Sequence, residues 1–168
     1  MEYRVVYSKR RTIAISVDKG IVTVKAPLGT DKKTIQSVLI KHSSWIEKHL
    51  NIQKKKQEML SSLTDDDIKE LKKEAKLYFK DKTEYYANIM GLKYGRITIT
   101  SAQKRFGSCS SQGNISYSYR LMLYPEAARE YVIVHELAHL REMNHSSRFY
   151  AIVASVLPDY KIRKRLLK

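Results

Sequence analysis

Tyr131-Val132-Ile133-Val134-His135-Glu136-Leu137-Ala138-His139-Leu140 differs in kind from every other stretch of the 168-residue chain. Its apolar residues surround a helix rather than lining one stripe, so the helix belongs in a protein interior. Three polar side chains nevertheless sit in it. His135 and His139 are four apart and project from one face, a single turn apart, with Glu136 beside them. This is the HExxH spacing. Two neutral imidazoles on one face suit Zn2+, which in catalytic sites takes three protein ligands and a water. Glu136 would draw a proton from that water as it attacks a carbonyl, and the metal would polarise the carbonyl. Two histidines and a carboxylate in an apolar helix are costly without partners, and one metal ion satisfies them together.

The third ligand must come from elsewhere. His145 lies six positions beyond His139; on one unbroken helix it would sit about 9 Å further along the axis. A helix beginning near Pro125 and running to about Glu142 therefore has to stop before it. Met143-Asn144, followed by Ser146 as the cap of a next helix through Phe149, Ile152, Val153 and Val156, provides the break. The chain can then fold His145 back onto the metal. Asp159 and Cys109 are rivals for the position, the latter as an upstream cysteine serves in peptide deformylases. Glu142 is the weakest candidate, one turn from His139 and facing solvent. Asn144 is a candidate to orient the third ligand.

Upstream, Thr64 and Asp67 have capping-box spacing before a long helix through Ile68, Leu71, Ala75, Tyr78, Phe79, Tyr85, Ile89 and Met90, stopped near Gly91. Ile97 and Ile99 alternate with threonines as a strand. A Gly- and Ser-rich loop from Ala102 to Gly113 leads to a second strand through Ile115, Tyr117 and Tyr119, which predicts a hairpin with a long loop. Tyr117, Tyr119 and Tyr150 are candidate donors to an oxyanion. Nearer the start, residues 3–26 read as a small antiparallel sheet turning at Asp18-Lys19-Gly20. After Pro27, Thr30 or Asp31 can cap a helix with Ile35, Val38, Leu39, Trp45 and Ile46 on its apolar face. The polar, lysine-rich run 51–62 is a helix extension or a linker. Pro158 breaks the chain before a last short helix over 159–167.

With 43% hydrophobic and 29% charged residues the chain has enough apolar material to fold, which excludes wholesale disorder. Its single cysteine, Cys109, excludes an internal disulfide and a multi-cysteine zinc site. The start has no apolar signal core and no stretch approaches a membrane span, so the expectation is a cytoplasmic protein with no membrane partner. Thirty-two Lys and Arg against seventeen Asp and Glu give a net charge of +15. The clusters Lys9-Arg10-Arg11, Lys54-Lys55-Lys56 and 161–168 permit contact with nucleic acid, though a solvated basic surface explains them as well.

The spacing of the three histidines equals the metzincin pattern, but the turn glycine of those enzymes is Glu142 here. Taken with Lys104-Arg105-Phe106-Gly107-Ser108-Cys109-Ser110-Ser111, Gly113-Asn114-Ile115, Arg120-Leu121, Asn144-His145-Ser146 and Pro158-Asp159-Tyr160, the chain resembles the YgjP-like metallopeptidase family over nearly its full length. Phe106 stands where that family usually has tryptophan. The resemblance implies an α+β chain: residues 1–62 a small antiparallel sheet with a helix, and 63–168 a zincin-like catalytic portion, packed as one compact unit. It implies a zinc-dependent peptidase with His135, His139 and His145 as ligands and Glu136 as base, acting on a peptide or protein. In such folds the Gly107–Ser111 loop precedes the strand that borders the cleft, where an extended peptide can pair. Cys109 would be a thiol near zinc or a packing residue. Two other functions fit the residues: a DNA-associated, SprT-like protease or nucleic-acid-binding protein with structural zinc, and an amidohydrolase of small substrates. Oligomeric state is unknown from sequence.

Overall fold

The computed structural model describes residues 2–18 and 20–167, with Lys56 described by its backbone alone. Of the sequence expectations, Lys19 of the turn at 18–20, the Lys56 side chain and Lys168 lie outside the described residues. The chain forms two compact units, Met1–Leu63 and Thr64–Lys168, and its mixed strands and helices are of the α+β class.

In the first unit, strands β1 (Tyr3–Ser8), β2 (Ala14–Asp18) and β3 (Ile21–Pro27) are followed by helices α1 (Lys32–Lys41) and α2 (Ser43–Ser61). The expected antiparallel sheet is instead mixed. β2 pairs antiparallel with β3, Ile15 opposite Val24, but β1 pairs parallel with the other edge of β3, Val5 again opposite Val24. Alternation tells which side chains share a face, not which strand lies beside which. β3 takes the centre because Val22, Val24 and Ala26 are all buried. Val22 and Val24 pack with Ile35, Leu39 and Ile46 of the helices, and Ile15, Val17 and Leu50 close around them; each fully buried aliphatic side chain of this size contributes about 1.5–3 kcal/mol.

Asp31 caps α1 by accepting the Thr34 N–H at 2.8 Å. The helix expected to run through Trp45 breaks at His42, and Trp45 is left 41% exposed, its ring against that of His49. Residues 51–61 continue α2, so the lysine-rich run is helix rather than linker.

The second unit opens with α3 (Asp65–Met90). Its capping box is formed: Thr64 N–H donates to Asp67 at 2.8 Å, and Asp67 N–H to the Thr64 hydroxyl at 3.2 Å. Gly91 ends the helix at φ 61°, a left-handed conformation that glycine adopts without steric cost. Strands β4 (Ile97–Thr100), β5 (Gly107–Cys109) and β6 (Ile115–Ser118) form a sheet of order β4-β6-β5. The expected hairpin is therefore corrected: β4 lies parallel to β6, and the antiparallel partner is β5, within the segment expected as loop. Three residues of Gly-Ser-Cys are too short and too poor in strand formers to read as a strand. Tyr119, expected on the second strand, begins a 3-10 turn, Tyr119–Leu123.

Helices α4 (Glu126–Ala138), α5 (Ser147–Val156) and α6 (Tyr160–Arg165) complete the unit. α4 stops at Ala138 rather than near Glu142. Leu140 N–H bonds to Leu137 O and Arg141 N–H to Ala138 O, so the chain tightens into turns there. The core gathers Phe79 from α3, Tyr117 from β6, Ile133, Val134 and Leu137 from α4, and Phe149 and Val153 from α5. Phe79 and Tyr117 stack at 4.5 Å.

Candidate metal centre

α4 is buried because it runs through this core, and it carries His135 and Glu136 to the cavity beside β5. His139 occupies the helix C-cap, still in right-handed conformation, so the one-turn relation to His135 survives the end of the helix. The turn that follows is fastened at both ends. Arg141 donates to the Met90 carbonyl at 2.7 Å, supplying an acceptor at the end of α3 with a donor. Ser146 caps α5 by accepting the Phe149 N–H at 3.3 Å. Between these anchors His145 folds back, and its Nε2 comes to 3.0 Å from Nε2 of His135.

One ligand nitrogen from each of His135, His139 and His145 lies within 4.8 Å of the others, and the group could hold a metal ion. In a tetrahedral zinc shell with Zn–N near 2.05 Å, ligand nitrogens stand about 3.3 Å apart; the His135–His145 pair is close to that separation. Two of the other ring nitrogens face partners. His139 Nδ1 donates to the Glu142 carbonyl at 3.2 Å, which fixes the tautomer and leaves Nε2 a free lone pair. His135 Nδ1 meets the Tyr131 hydroxyl at 3.4 Å. Burial first, then the neighbouring His139, His145 and Lys164, push His135 down to about 3, so it is neutral at physiological pH. His139 is lowered chiefly by burial. Neutral imidazole is the form a metal requires, and the donor set fits zinc.

Phe149, fully buried, lies 4.8, 4.6 and 4.8 Å from the ring centres of His135, His139 and His145. It is a shared floor for all three rings. Glu136 is 5% exposed, and burial pushes its carboxyl up to about 8. The cavity is about 290 Å³, with β5 residues Gly107, Ser108 and Cys109 as one wall and Met143 beside the histidines. His145 and Met143 are exposed, so it opens to solvent.

The other sequence candidates fall in different places. Cys109 lines the wall, half-buried, its thiol directed at the Ser110 carbonyl at 3.5 Å and pushed up by burial and by Glu136; it is outside the three-nitrogen group. Asp159 pairs with Arg163 at 2.7 Å. Asn144 is exposed, and its carbonyl accepts the Ser146 N–H at 2.7 Å. Tyr117 is fully buried with its hydroxyl bonded to Thr83 at 3.0 Å, and Tyr119 is buried beside Lys72 and Arg120. Tyr150 flanks His145 at 6.3 Å, and its hydroxyl accepts from Lys164 at 3.4 Å. Sequence reasoning put the Gly107–Ser111 loop beside the cleft without a part for Gly107 itself, put Phe149 only on the apolar face of a helix, and gave Tyr131 no role. Tyr131 had a readable signal, lying one turn before His135; the other two act through contacts between distant segments.

The family model described as YgjP-like, metallopeptidase domain, matches residues 11–68 and 56–168. Among solved structures, the chain is similar to the metallopeptidase zymogen abylysin of Pyrococcus abyssi, with 25% identity and a TM-score of 0.49 over 53% of this chain and 90% of that one. It is also similar to the metallopeptidase zymogen jannalysin of Methanocaldococcus jannaschii, at 18% identity and a TM-score of 0.44 over 51% of this chain and 91% of that one. No curated protein matches.

Proposed function

The chain belongs to the YgjP-like metallopeptidase family, and on that premise we propose that it is a zinc-dependent peptidase in which Glu136 carries the proton. The observation that supports this most is the convergence of three imidazole donors within 4.8 Å beside a buried carboxylate. His135, His139 and His145 hold the ion. Zinc, when bound, supplies Lewis acidity toward the scissile carbonyl and toward water.

The protein's own groups do the rest. Glu136 accepts a proton from the attacking water as its oxygen bonds to the carbonyl carbon. It returns that proton to the amide nitrogen as the carbon–nitrogen bond breaks, giving a carboxylic acid and an amine. Burial raises its pKa in the metal-free site, and the charge of an ion held beside it would draw it back toward the carboxylate form that accepts the proton. β5 is an edge strand of its sheet and a wall of the cavity, so an extended peptide can add to it by main-chain hydrogen bonds. No described helix is long and apolar enough to cross a membrane, and the one free thiol, Cys109, suits a reducing, cytoplasmic setting.

Glu136→Gln tests the assignment. The variant should bind zinc as the parent does and hydrolyse unstructured peptide about 10²–10⁴-fold more slowly, the usual share of general acid–base catalysis. Hydrolysis at the parental rate would remove Glu136 from the mechanism.

A further inference from the structure

We propose that Gly107 is a positioning residue for the base: the missing side chain at the start of β5 is the space in which the Glu136 carboxylate sits. The proposal rests on reading Glu136 as the proton carrier. Gly107 lies opposite Tyr117 in the β5–β6 pair. Its backbone is outside the left-handed region that favours glycine, unlike Gly20, Gly29, Gly91 and Gly113, so conformation does not require glycine there. Space does. A β-carbon on residue 107 would stand 2.6 Å from Oε1, 2.8 Å from Cγ and 2.9 Å from Cδ of Glu136, well inside the contact distance of about 3.5 Å.

Three side-chain atoms meet the added carbon, so turning the carboxylate about its last bond does not clear it. Nor can the stem swing away freely. Glu136 is 5% exposed, and its helical neighbours Ile133, Val134 and Leu137 are fully buried. An added methyl group must therefore move the base itself, and displacing a catalytic group by about 1 Å can cost about a hundredfold in rate. The three atoms nearest the added carbon all belong to Glu136, so the strain falls first on the base rather than on a metal ligand.

The test is a set of variants of the full chain, zinc-loaded. Gly107→Ala should keep the parental zinc content and KM while kcat falls about a hundredfold. It should also melt lower by about 4–8 °C, the effect of modest overpacking in a domain of this size. The same substitution on a Glu136→Ala background should carry almost no melting penalty, because the atoms it strikes are gone. On Glu136→Gln, equal in size to the native residue, the penalty should return. Equal penalties on all three backgrounds would overturn the proposal, as would an unchanged kcat in Gly107→Ala. Should Gly107→Ala fail to fold, folding of the Gly107→Ala, Glu136→Ala pair supports the proposal and its failure overturns it. The melting cycle needs no substrate. A protein that shows the cycle but hydrolyses no peptide would keep the spacing and lose the peptidase assignment.

Discussion

Phe149 touches each of the three imidazoles and none of the solvent, so it holds the rings in place without binding anything itself. Replacing it with leucine keeps the site apolar and nearly filled, at a stability cost under about 1.5 kcal/mol. It removes the flat surface against which the rings are packed. Phe149→Leu should therefore weaken zinc binding about 10–100-fold, as loss of groups supporting metal ligands does, measured by competition with a chelator of known affinity. Unchanged affinity would mean the Tyr131 and Glu142 contacts suffice to aim the rings. At this scale the helical period alone put His135, Glu136 and His139 together, because it is a local rule. His145 needed the further expectation of a break before the Ser146 cap, which the sequence suggested at Met143-Asn144 although α4 already ends at Ala138. The contact of Gly107 with the base, and Phe149 as part of the site, were not legible. A methyl-sized gap on β5 and a ring from α5 meet the α4 residues only after the chain has folded.

Elements with chemical punctuation were the easiest to read. α3 starts and stops at Thr64 and Gly91 because a hydroxyl, a carboxylate and a residue free to take positive φ supply what the helix ends lack. Its cap also titrates. The Thr64 hydroxyl, then the Thr64 N–H, hold the Asp67 carboxyl below its ordinary 3.8. A folded-state pKa below the unfolded one means the stabilisation is complete above that ordinary value and is lost as pH falls through the lower folded one. Asp67→Asn should thus melt below the parent at neutral pH, and the gap should close progressively at acid pH below about 4. A gap that stays constant would show that the cap does not depend on charge. Sheets lack such punctuation: strand partners are set by tertiary contacts, which is why β1 and β4 turned out parallel to their neighbours and why β5 was taken for loop.

For the whole molecule, the proposed metal is also a term in the folding equilibrium. Natural domains retain only about 5–15 kcal/mol of net stability. A ligand bound to the folded form alone, at a thousand times its dissociation constant, adds about 4 kcal/mol. The three ligands come from α4, its C-cap and the turn before α5, so zinc would cross-link segments otherwise joined by the 139–146 turns. At about 4–8 °C per kcal/mol for a domain near the size of the second unit, chelated protein should melt on the order of 15–30 °C below zinc-saturated protein. His145→Ala should lose most of that difference while its chelated form melts near the chelated parent, since an exposed ring contributes little to packing. Hydrogen exchange locates the effect: amides of 133–150 should gain protection on zinc addition. If zinc leaves both the melting temperature and those amides unchanged, the three nitrogens share a neighbourhood but not an ion, and the peptidase assignment loses its metal.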